Sequence, residues 1–227
     1  MKTIQILLSS ILLSAVFIFG CSSWNRTEKG AVIGTVGGAA AGAVIGKVAG
    51  NTALGAIIGA TVGGVTGAVI GHQMDKQAEE MKKNIPDAKV VRVGEGIVIE
   101  FNDKILFGFN KYNLTSGAKK NLTKLAGILD KYPDTDIEVQ GHTDNKGTTE
   151  YNSNLSVRRA SSVSKYLASK GISSSRLTLK GFGESAAKYS NDSKDGQAQN
   201  RRVEFLVTAN DKMKSDAAKE AAKNNSN

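Results

Sequence analysis

The chain has 227 residues, of which 40% are hydrophobic and 22% charged, and its formal net charge is +9. A single cysteine excludes an internal disulfide framework. The basic balance favours an anionic partner such as cell wall or lipid headgroups, although the lysines could also serve only to keep the surface soluble.

Residues 1–20 have the pattern of a secretory signal peptide. A short basic start, Met1 to Thr3, precedes an apolar run from Ile4 to Gly20. That run is shorter than the roughly 20 residues that span a bilayer, so it predicts a cleaved signal. We expect no nucleic-acid partner for an exported chain.

Cys21 is the first residue after this signal, and residues 21–30 form a polar tether. The segment Ile18 to Cys21 resembles a lipobox, in which the cysteine carries diacylglycerol and an N-acyl chain. Such chains would hold the protein on a membrane at about 0.8 kcal/mol per buried CH₂ group. The alternative is ordinary secretion with a cysteine there by chance.

Residues 31–72 form a glycine repeat. Its spacing is four within each half and five at the join: Gly34, Gly38, Gly42, Gly46 and Gly50, then Gly55, Gly59, Gly63, Gly67 and Gly71. The spacing predicts two helices folded as a hairpin, each with a glycine face that allows close packing. The segment resembles the glycine zipper of bacterial envelope lipoproteins. It could pack on itself, on further copies or in lipid.

Residues 87–210 have the mixed pattern of a globular domain. A hairpin, two helices and further strands are predicted at Val90–Val93, Ile97–Phe101, Ile105–Phe109, Ala118–Leu129, Asp136–Gly141, Leu155–Lys170, Arg176–Gly181 and Arg202–Val207. This alternation predicts an α+β fold, a two-layer α/β sandwich with helices on one face of the sheet. Residues 211–227 have little to bury and predict a disordered or frayed helical tail.

One charged residue of the second predicted helix falls inside its apolar stripe. At 100° per residue, with Leu155 at 0°, Arg159 lies at about 40° and Val163 at about 80°. An arginine in such a stripe is seldom buried without a partner. Asp144 follows the predicted central strand, at the same expected edge of the sheet. We therefore expect Asp144 to be that partner.

Asp144 and Arg159 could simply neutralise each other, or they could clamp a ligand. An arginine holds a carboxylate with two parallel hydrogen bonds, and an aspartate holds an ammonium. A ligand with both groups on one carbon, such as the free end of diaminopimelate in a wall peptide, fits the pair. A metal site would lack ligands, because the other histidine besides His142 is His72. Alternation along the last strand predicts that Arg202 is solvated.

The motifs GHTDNKG, YNSNLSVRRASSVSKYL, RLTLKGFGES and NRRVEF resemble the OmpA-like C-terminal domain over about Ile97 to Val207. With the lipobox and zipper, the chain resembles the YiaD-like lipoproteins of that family, which are related to peptidoglycan-associated lipoproteins. The resemblance implies a βαβαβ-type sheet. It also implies ammonium binding by Asp144 and carboxylate binding by Arg159, with further peptidoglycan-binding positions at Asn110, Thr143, Asn152 and Arg201.

The resemblance implies a non-enzymatic lipoprotein without a cofactor, anchored in the outer membrane with its domain facing the periplasm. It would bind peptidoglycan non-covalently through diaminopimelate and so link membrane to wall. The alternative is an oligomeric envelope-assembly protein that acts through the glycine zipper. Glu150 with Asp144 is a weak carboxylate pair for glycan cleavage, so we do not expect a hydrolase.

Overall fold

The computed structural model describes residues 64–108 and 110–224. The predicted signal peptide, Cys21, the tether and residues 31–63 of the predicted hairpin lie outside the described residues. Within the described part, the last zipper glycines belong to a helix, α1 (Gly64–Asn84), which continues past the predicted end of the zipper at residue 72. None of the helices in residues 64–108 and 110–224 is both long and apolar enough to span a membrane.

Within residues 85–108 and 110–224, five strands and five further helices follow α1. In chain order they are β1 (Lys89–Val93), β2 (Gly96–Asn102), α2 (Asp103–Leu106), α3 (Ser116–Lys131), β3 (Thr135–His142), α4 (Thr149–Ser169), a 3-10 turn (Ser174–Arg176), β4 (Leu177–Gly183), α5 (Lys194–Asn200), β5 (Arg202–Ala209) and α6 (Asp211–Asn224).

The strands form one mixed sheet in the order β1-β2-β5-β3-β4. Only the β3–β4 pair is parallel among these strands, and β5 lies between β2 and β3 in antiparallel register, with Val139 opposite Phe205. The inward side chains of the sheet pack with those of α1, α3 and α4 in one hydrophobic cluster. The predicted two-layer α/β sandwich is therefore confirmed.

The core is built where apolar positions of strands and helices meet. Phe101 and Phe205 pack edge to face, with ring centroids 5.8 Å apart, and both are fully buried. Burying a side chain of this size contributes about 1.5–3 kcal/mol. Met74 and Met81 of α1 and Met213 of α6 belong to the same cluster. The compact unit is therefore wider than the predicted domain of residues 87–210.

The predicted strand at Ile105–Phe109 is wrong for residues 105–108, and Phe109 lies outside the described residues. The side chain of Asn102 accepts a hydrogen bond from Lys104 N and starts the single turn α2 at Asp103. The segment that follows makes one isolated bridge, between Phe107 and Leu114. A short apolar run does not by itself separate a strand from a buried helical turn, and here the cap at Asn102 decides.

Of the two alternatives predicted for the C-terminal tail, disorder is wrong for residues 211–224 and a helix is correct. They form helix α6, which packs against α1. Its buried side chains, Met213, Ala217 and Ala221, recur every four residues and so lie on one face. Two of the three are alanines. Their small size lets the two helices approach closely. The low hydrophobicity of the segment gave no indication of this packing.

The prediction that Arg202 is solvated is wrong as well. Its side chain is 1% exposed, and its Nε donates to Glu204 Oε1 at 2.7 Å. Both residues point to the face of the sheet opposite the helices. The segment between β4 and β5 covers this end of the face: Ala186 O accepts from Arg202 Nη2, and Lys188 pairs with Glu100 at 2.8 Å.

Candidate functional site

A cleft of about 380 Å³ lies beyond the end of β3 and beside α4. It falls at the lower end of the size range of ligand pockets. All the side chains predicted for the site line it: Asn110, Thr143, Asp144, Asn152, Arg159 and Arg201. Lining residues that the sequence did not suggest include Asp103, Lys146, Tyr151 and Gln197.

The loop after β3 places Thr143 and Asp144 in the cleft. Thr143 N donates to Gly183 O at 2.9 Å, which fixes the start of the loop against β4. Lys146 N donates to Asp144 Oδ1 at 3.0 Å, a local turn that aspartate commonly makes. Gly147, with φ of 102°, then lets the chain turn into α4. Because of these contacts the Asp144 carboxylate is held at the wall of the cleft.

A glycine sets the distance between this loop and α4. A Cβ atom placed on Gly141 would lie 2.1 Å from the backbone oxygen of Ser156. The strand and the helix therefore touch through their backbones at this point. Asp144 follows Gly141 by three residues and Arg159 follows Ser156 by three, so the contact fixes how far apart the two charged groups lie.

Arg159 is only 2% exposed. This burial agrees with its predicted position in the apolar stripe of the helix. Its Nε donates to Lys111 O at 3.2 Å, and its guanidinium lies 5.3 Å from the centre of the Phe107 ring. Its Nη2 donates to Asp103 Oδ2 at 3.1 Å. The direct ion-pair partner of Arg159 is therefore Asp103, and the prediction that Asp144 has this role is wrong.

Asp103, Arg159, Arg201 and Asp144 form a chain of alternating charges. Asp103 Oδ2 also lies 3.6 Å from Arg201 Nε, and Arg201 Nη1 pairs with Asp144 Oδ2. The backbone adds a further tie, since Asp103 N donates to Arg201 O at 2.9 Å. The four charges sum to zero, so Lys146 at the exposed rim adds a net positive charge to the cleft.

Burial shifts the pKa values of the central ion pair. Desolvation raises the pKa of Asp103 above its ordinary value, although Arg159 and Arg201 act in the opposite direction. Desolvation also lowers the pKa of Arg159, against the effect of Asp103. An arginine stays protonated in proteins, so the buried guanidinium of Arg159 lacks the stabilisation that water would give and depends on the Asp103 carboxyl group beside it.

Three polar atoms of the cleft residues are buried and have no hydrogen-bond partner: Arg159 Nη1, Asp103 Oδ1 and Thr143 Oγ1. An unsatisfied buried donor or acceptor costs about 1–3 kcal/mol. A cleft that leaves a guanidinium N–H and a carboxylate oxygen free in this way is suited to a ligand that supplies both missing partners.

The two asparagines have different surroundings. Asn152 is buried, and its Nδ2 donates to Glu184 Oε2 at 2.6 Å, so it links α4 to the end of β4. Asn110 is exposed at the rim and has a positive φ of 52°. Asparagine tolerates this conformation better than most residues.

His142, at the end of β3, lies beside the cleft but faces the other side of the sheet. Its ring is fully buried and stacks on Phe182 at a centroid distance of 5.2 Å, and neither ring nitrogen has a partner. Desolvation, with the charges of Arg202 and Lys188, holds the pKa of His142 well below its ordinary value. No group of three or more metal-ligating side chains occurs within the described part of the chain.

We expect His142 to make the protein less stable in mild acid. Because its folded pKa is depressed, its contribution is complete above the unfolded pKa of about 6.5 and is lost as pH falls, at up to about 1.4 kcal/mol per pH unit. His142→Phe keeps the stacked ring and removes the titration. Urea unfolding between pH 7.5 and 5 should show a shallower pH dependence for this variant, and equal slopes would contradict the prediction.

Comparison with known proteins is consistent with this fold and cleft. The model of the OmpA family matches residues 106–201, and the model of the YMGG-like Gly-zipper matches residues 1–75. Outer-membrane lipoprotein YfiB of Pseudomonas aeruginosa is 35% identical over 51% of this chain and 68% of that protein. Probable lipoprotein YiaD of Escherichia coli is 32% identical over 60% of this chain and 64% of that protein.

A solved structure, the cell wall anchor of the T6SS from Pseudomonas aeruginosa, is 27% identical with a TM-score of 0.53, over 60% of this chain and 96% of that one. The chain spans between 16% and 64% of the length of several curated relatives that it matches, YiaD among them. The YfiB match covers more than two thirds of that protein, and the OmpA match over residues 106–201 contains the cleft-lining residues other than Asp103. The chain therefore belongs to the OmpA family, with a YMGG-like glycine zipper at its N-terminus.

Proposed function

We propose that this protein is an envelope lipoprotein that binds peptidoglycan non-covalently and does not act as an enzyme. The cleft would hold the zwitterionic end of a stem peptide, an ammonium and a carboxylate on one carbon. Diaminopimelate carries such an end when its second amino-acid centre is free. The likeness to a protein described as the cell wall anchor of the T6SS supports a wall ligand.

The observation that carries the proposal is the pair of free atoms on the central ion pair. Arg159 Nη1 is a buried donor and Asp103 Oδ1 a buried acceptor, and both are without partners in the cleft. A neutral sugar could not supply a charged partner to either atom. A zwitterionic group supplies an acceptor and a donor that are both charged, which makes the strongest kind of hydrogen bond.

The second attachment would be a lipid on Cys21, which would place the protein on the outer membrane with its domain in the periplasm. The names of the relatives YfiB and YiaD, both lipoproteins, support this part. The glycine zipper would then lie between the two attachments, where it would pack against the membrane or against further copies of the chain.

Co-sedimentation with purified sacculi tests the proposal. We expect the protein to sediment with the sacculi and to be released by excess diaminopimelate. Pimelate, which lacks both amines, and 1,5-diaminopentane, which lacks both carboxylates, should release far less. A Cys21→Ser variant should still sediment while losing incorporation of labelled fatty acid. Equal release by pimelate, or no sedimentation of the wild-type protein, would contradict the proposal.

A further inference from the structure

We propose that the outer surface of helices α3 and α4 binds an anionic phospholipid membrane. This lysine face is defined by four exposed side chains: Lys119, Lys120 and Lys124 of α3, and Lys165 of α4. The cleft is lined by other residues. The lysine face is therefore separate from the proposed wall site, and it would give the protein a contact that goes beyond the proposed function.

The two helices carry these lysines on one continuous surface. The hydroxyl of Tyr166 lies 3.0 Å from Thr123 Oγ1 and donates to Lys119 O at 3.2 Å, so α3 and α4 are in direct contact. At 100° per residue, the other two lysines of α3 lie 60° and 100° from Thr123, on the side away from the buried Leu122. The lysine of α4 likewise lies 100° from Tyr166, on the side away from the buried Leu167.

The segments that build the lysine face carry no negative charge. Residues 111–129 and 151–172 contain neither aspartate nor glutamate. Among the described residues, none of the four lysines forms an ion pair, whereas Lys131, at the end of α3, pairs with Glu80. Asp87 does accept from Asn121 Nδ2 at 2.9 Å, but Asn121 is on the buried side of α3. A surface that served only solubility would be expected to mix both signs.

Helix α6 shows that the separation of charge, and not the number of lysines, distinguishes the lysine face. Helix α6 also carries four lysines, but they alternate with three acidic residues, which leaves a net charge of +1. Lys212 and Lys219 both pair with Asp216, at 3.1 and 3.3 Å. The cations of α6 are therefore already balanced within the helix, while those of α3 and α4 are available to an external anion.

The extent of the lysine face suits a membrane. At about 1.5 Å per residue, the 16 residues of α3 extend it over about 24 Å. The phosphates of a bilayer form a dense planar array, and lysine binds phosphate as a point charge. Each lysine near an anionic bilayer adds to the attraction, which falls off within a Debye length. A lipid on Cys21 would keep the domain within reach of the same bilayer, so the two attachments would reinforce each other.

Acetylation of lysines in the full-length protein tests the proposal. The protein is reconstituted into vesicles of phosphatidylcholine, or of phosphatidylcholine and phosphatidylglycerol in equal parts, and each modified lysine is quantified by mass spectrometry. We expect the four lysines of the face to react at least about threefold more slowly in the anionic vesicles. The lysines of α6 should react equally in both. The protection should disappear in about 1 M salt, where the Debye length is about 3 Å.

Two triple variants with equal loss of charge test the role of the face. One variant combines Lys119→Gln, Lys120→Gln and Lys124→Gln, and the control combines Lys214→Gln, Lys219→Gln and Lys223→Gln in α6. The lysine of α4 remains in both variants and reports on membrane contact. We expect its protection in anionic vesicles to be lost in the first variant and kept in the control. Urea unfolding checks that both variants are folded.

Three results would overturn the proposal. The first is equal reaction rates of the four lysines in the two kinds of vesicle. The second is slowing of the α6 lysines to the same degree, or equal loss of protection in both variants, because net charge alone would then explain the attraction. The third is protection by purified sacculi but not by vesicles, which would assign the face to the wall. The vesicles contain no wall, so failure of the proposed wall binding would leave the vesicle result unchanged.

Discussion

Replacing Arg159 with alanine should remove most of the binding to sacculi, a loss of about 2–5 kcal/mol in binding free energy. The side chain is buried and belongs to the cleft lining, its Nε and Nη2 donate to Lys111 O and Asp103, and its Nη1 has no hydrogen-bond partner. The variant therefore loses the carboxylate contact and leaves Asp103 with only the more distant Arg201, at 3.6 Å, as a cationic partner. Co-sedimentation across a series of sacculus concentrations measures the effect.

Arg158→Ala is the control, because it removes the same charge from the neighbouring position. Arg158 is exposed, and its guanidinium lies 5.6 Å from the centre of the Tyr112 ring, outside the cleft lining. It should bind like the wild type. Urea unfolding of both variants shows whether reduced binding comes from the missing ligand contact or from loss of the fold. Wild-type retention of a folded Arg159→Ala protein would show that the cleft is not the binding site.

Gly141→Ala should destabilise the fold by at least about 2 kcal/mol, which is within the range for overpacked cores. The added methyl group would lie 2.1 Å from Ser156 O, which is backbone and cannot rotate away. Strand β3 and helix α4 would have to separate. Since they carry Asp144 and Arg159, we expect wall binding to weaken along with stability, as measured by urea unfolding and co-sedimentation.

Gly127→Ala tests whether this effect is specific to the strand–helix contact. Gly127 lies in α3, and a Cβ atom there would meet nothing within 4 Å. Alanine is favoured over glycine in a helix by about 1 kcal/mol, so this variant should be as stable as the wild type or more stable. Loss of stability in both variants, or in neither, would contradict the role given to Gly141.

The burial of Arg159 could be predicted from the sequence, whereas its partner could not. A charged residue in an apolar stripe is visible from helical periodicity alone, and the cleft does collect all the predicted side chains. Asp103 lies 56 residues away and enters the site through the single turn α2. The apolar run after Asp103 does not distinguish that turn from a strand, and although Asn102 could indicate a helix cap, no local pattern predicts that the turn meets Arg159.

Two other predictions, for Arg202 and for the C-terminal segment, were also wrong because of tertiary packing. Alternation in β5 assumes that one face of a sheet meets water, but the segment after β4 covers Arg202 and Glu204. The low hydrophobicity of the C-terminal segment suggested disorder, but the alanines of α6 pack closely against α1. The main helices were predictable from their long periodic patterns and the two-layer class from the motifs of the family, whereas the sheet order, with β5 and not β3 in the centre, was not predicted.

Direct titration of the wild-type protein with diaminopimelate, followed by the side-chain NMR resonances of the cleft, is the measurement that tests the central claim most directly. Saturable binding should shift the guanidinium signals of Arg159 and the Asp103 carboxyl signal, and should leave Arg158 unchanged. Saturable binding that leaves Arg159 and Asp103 undisturbed, or no binding by a protein that still sediments with sacculi, would contradict a zwitterion site in this cleft.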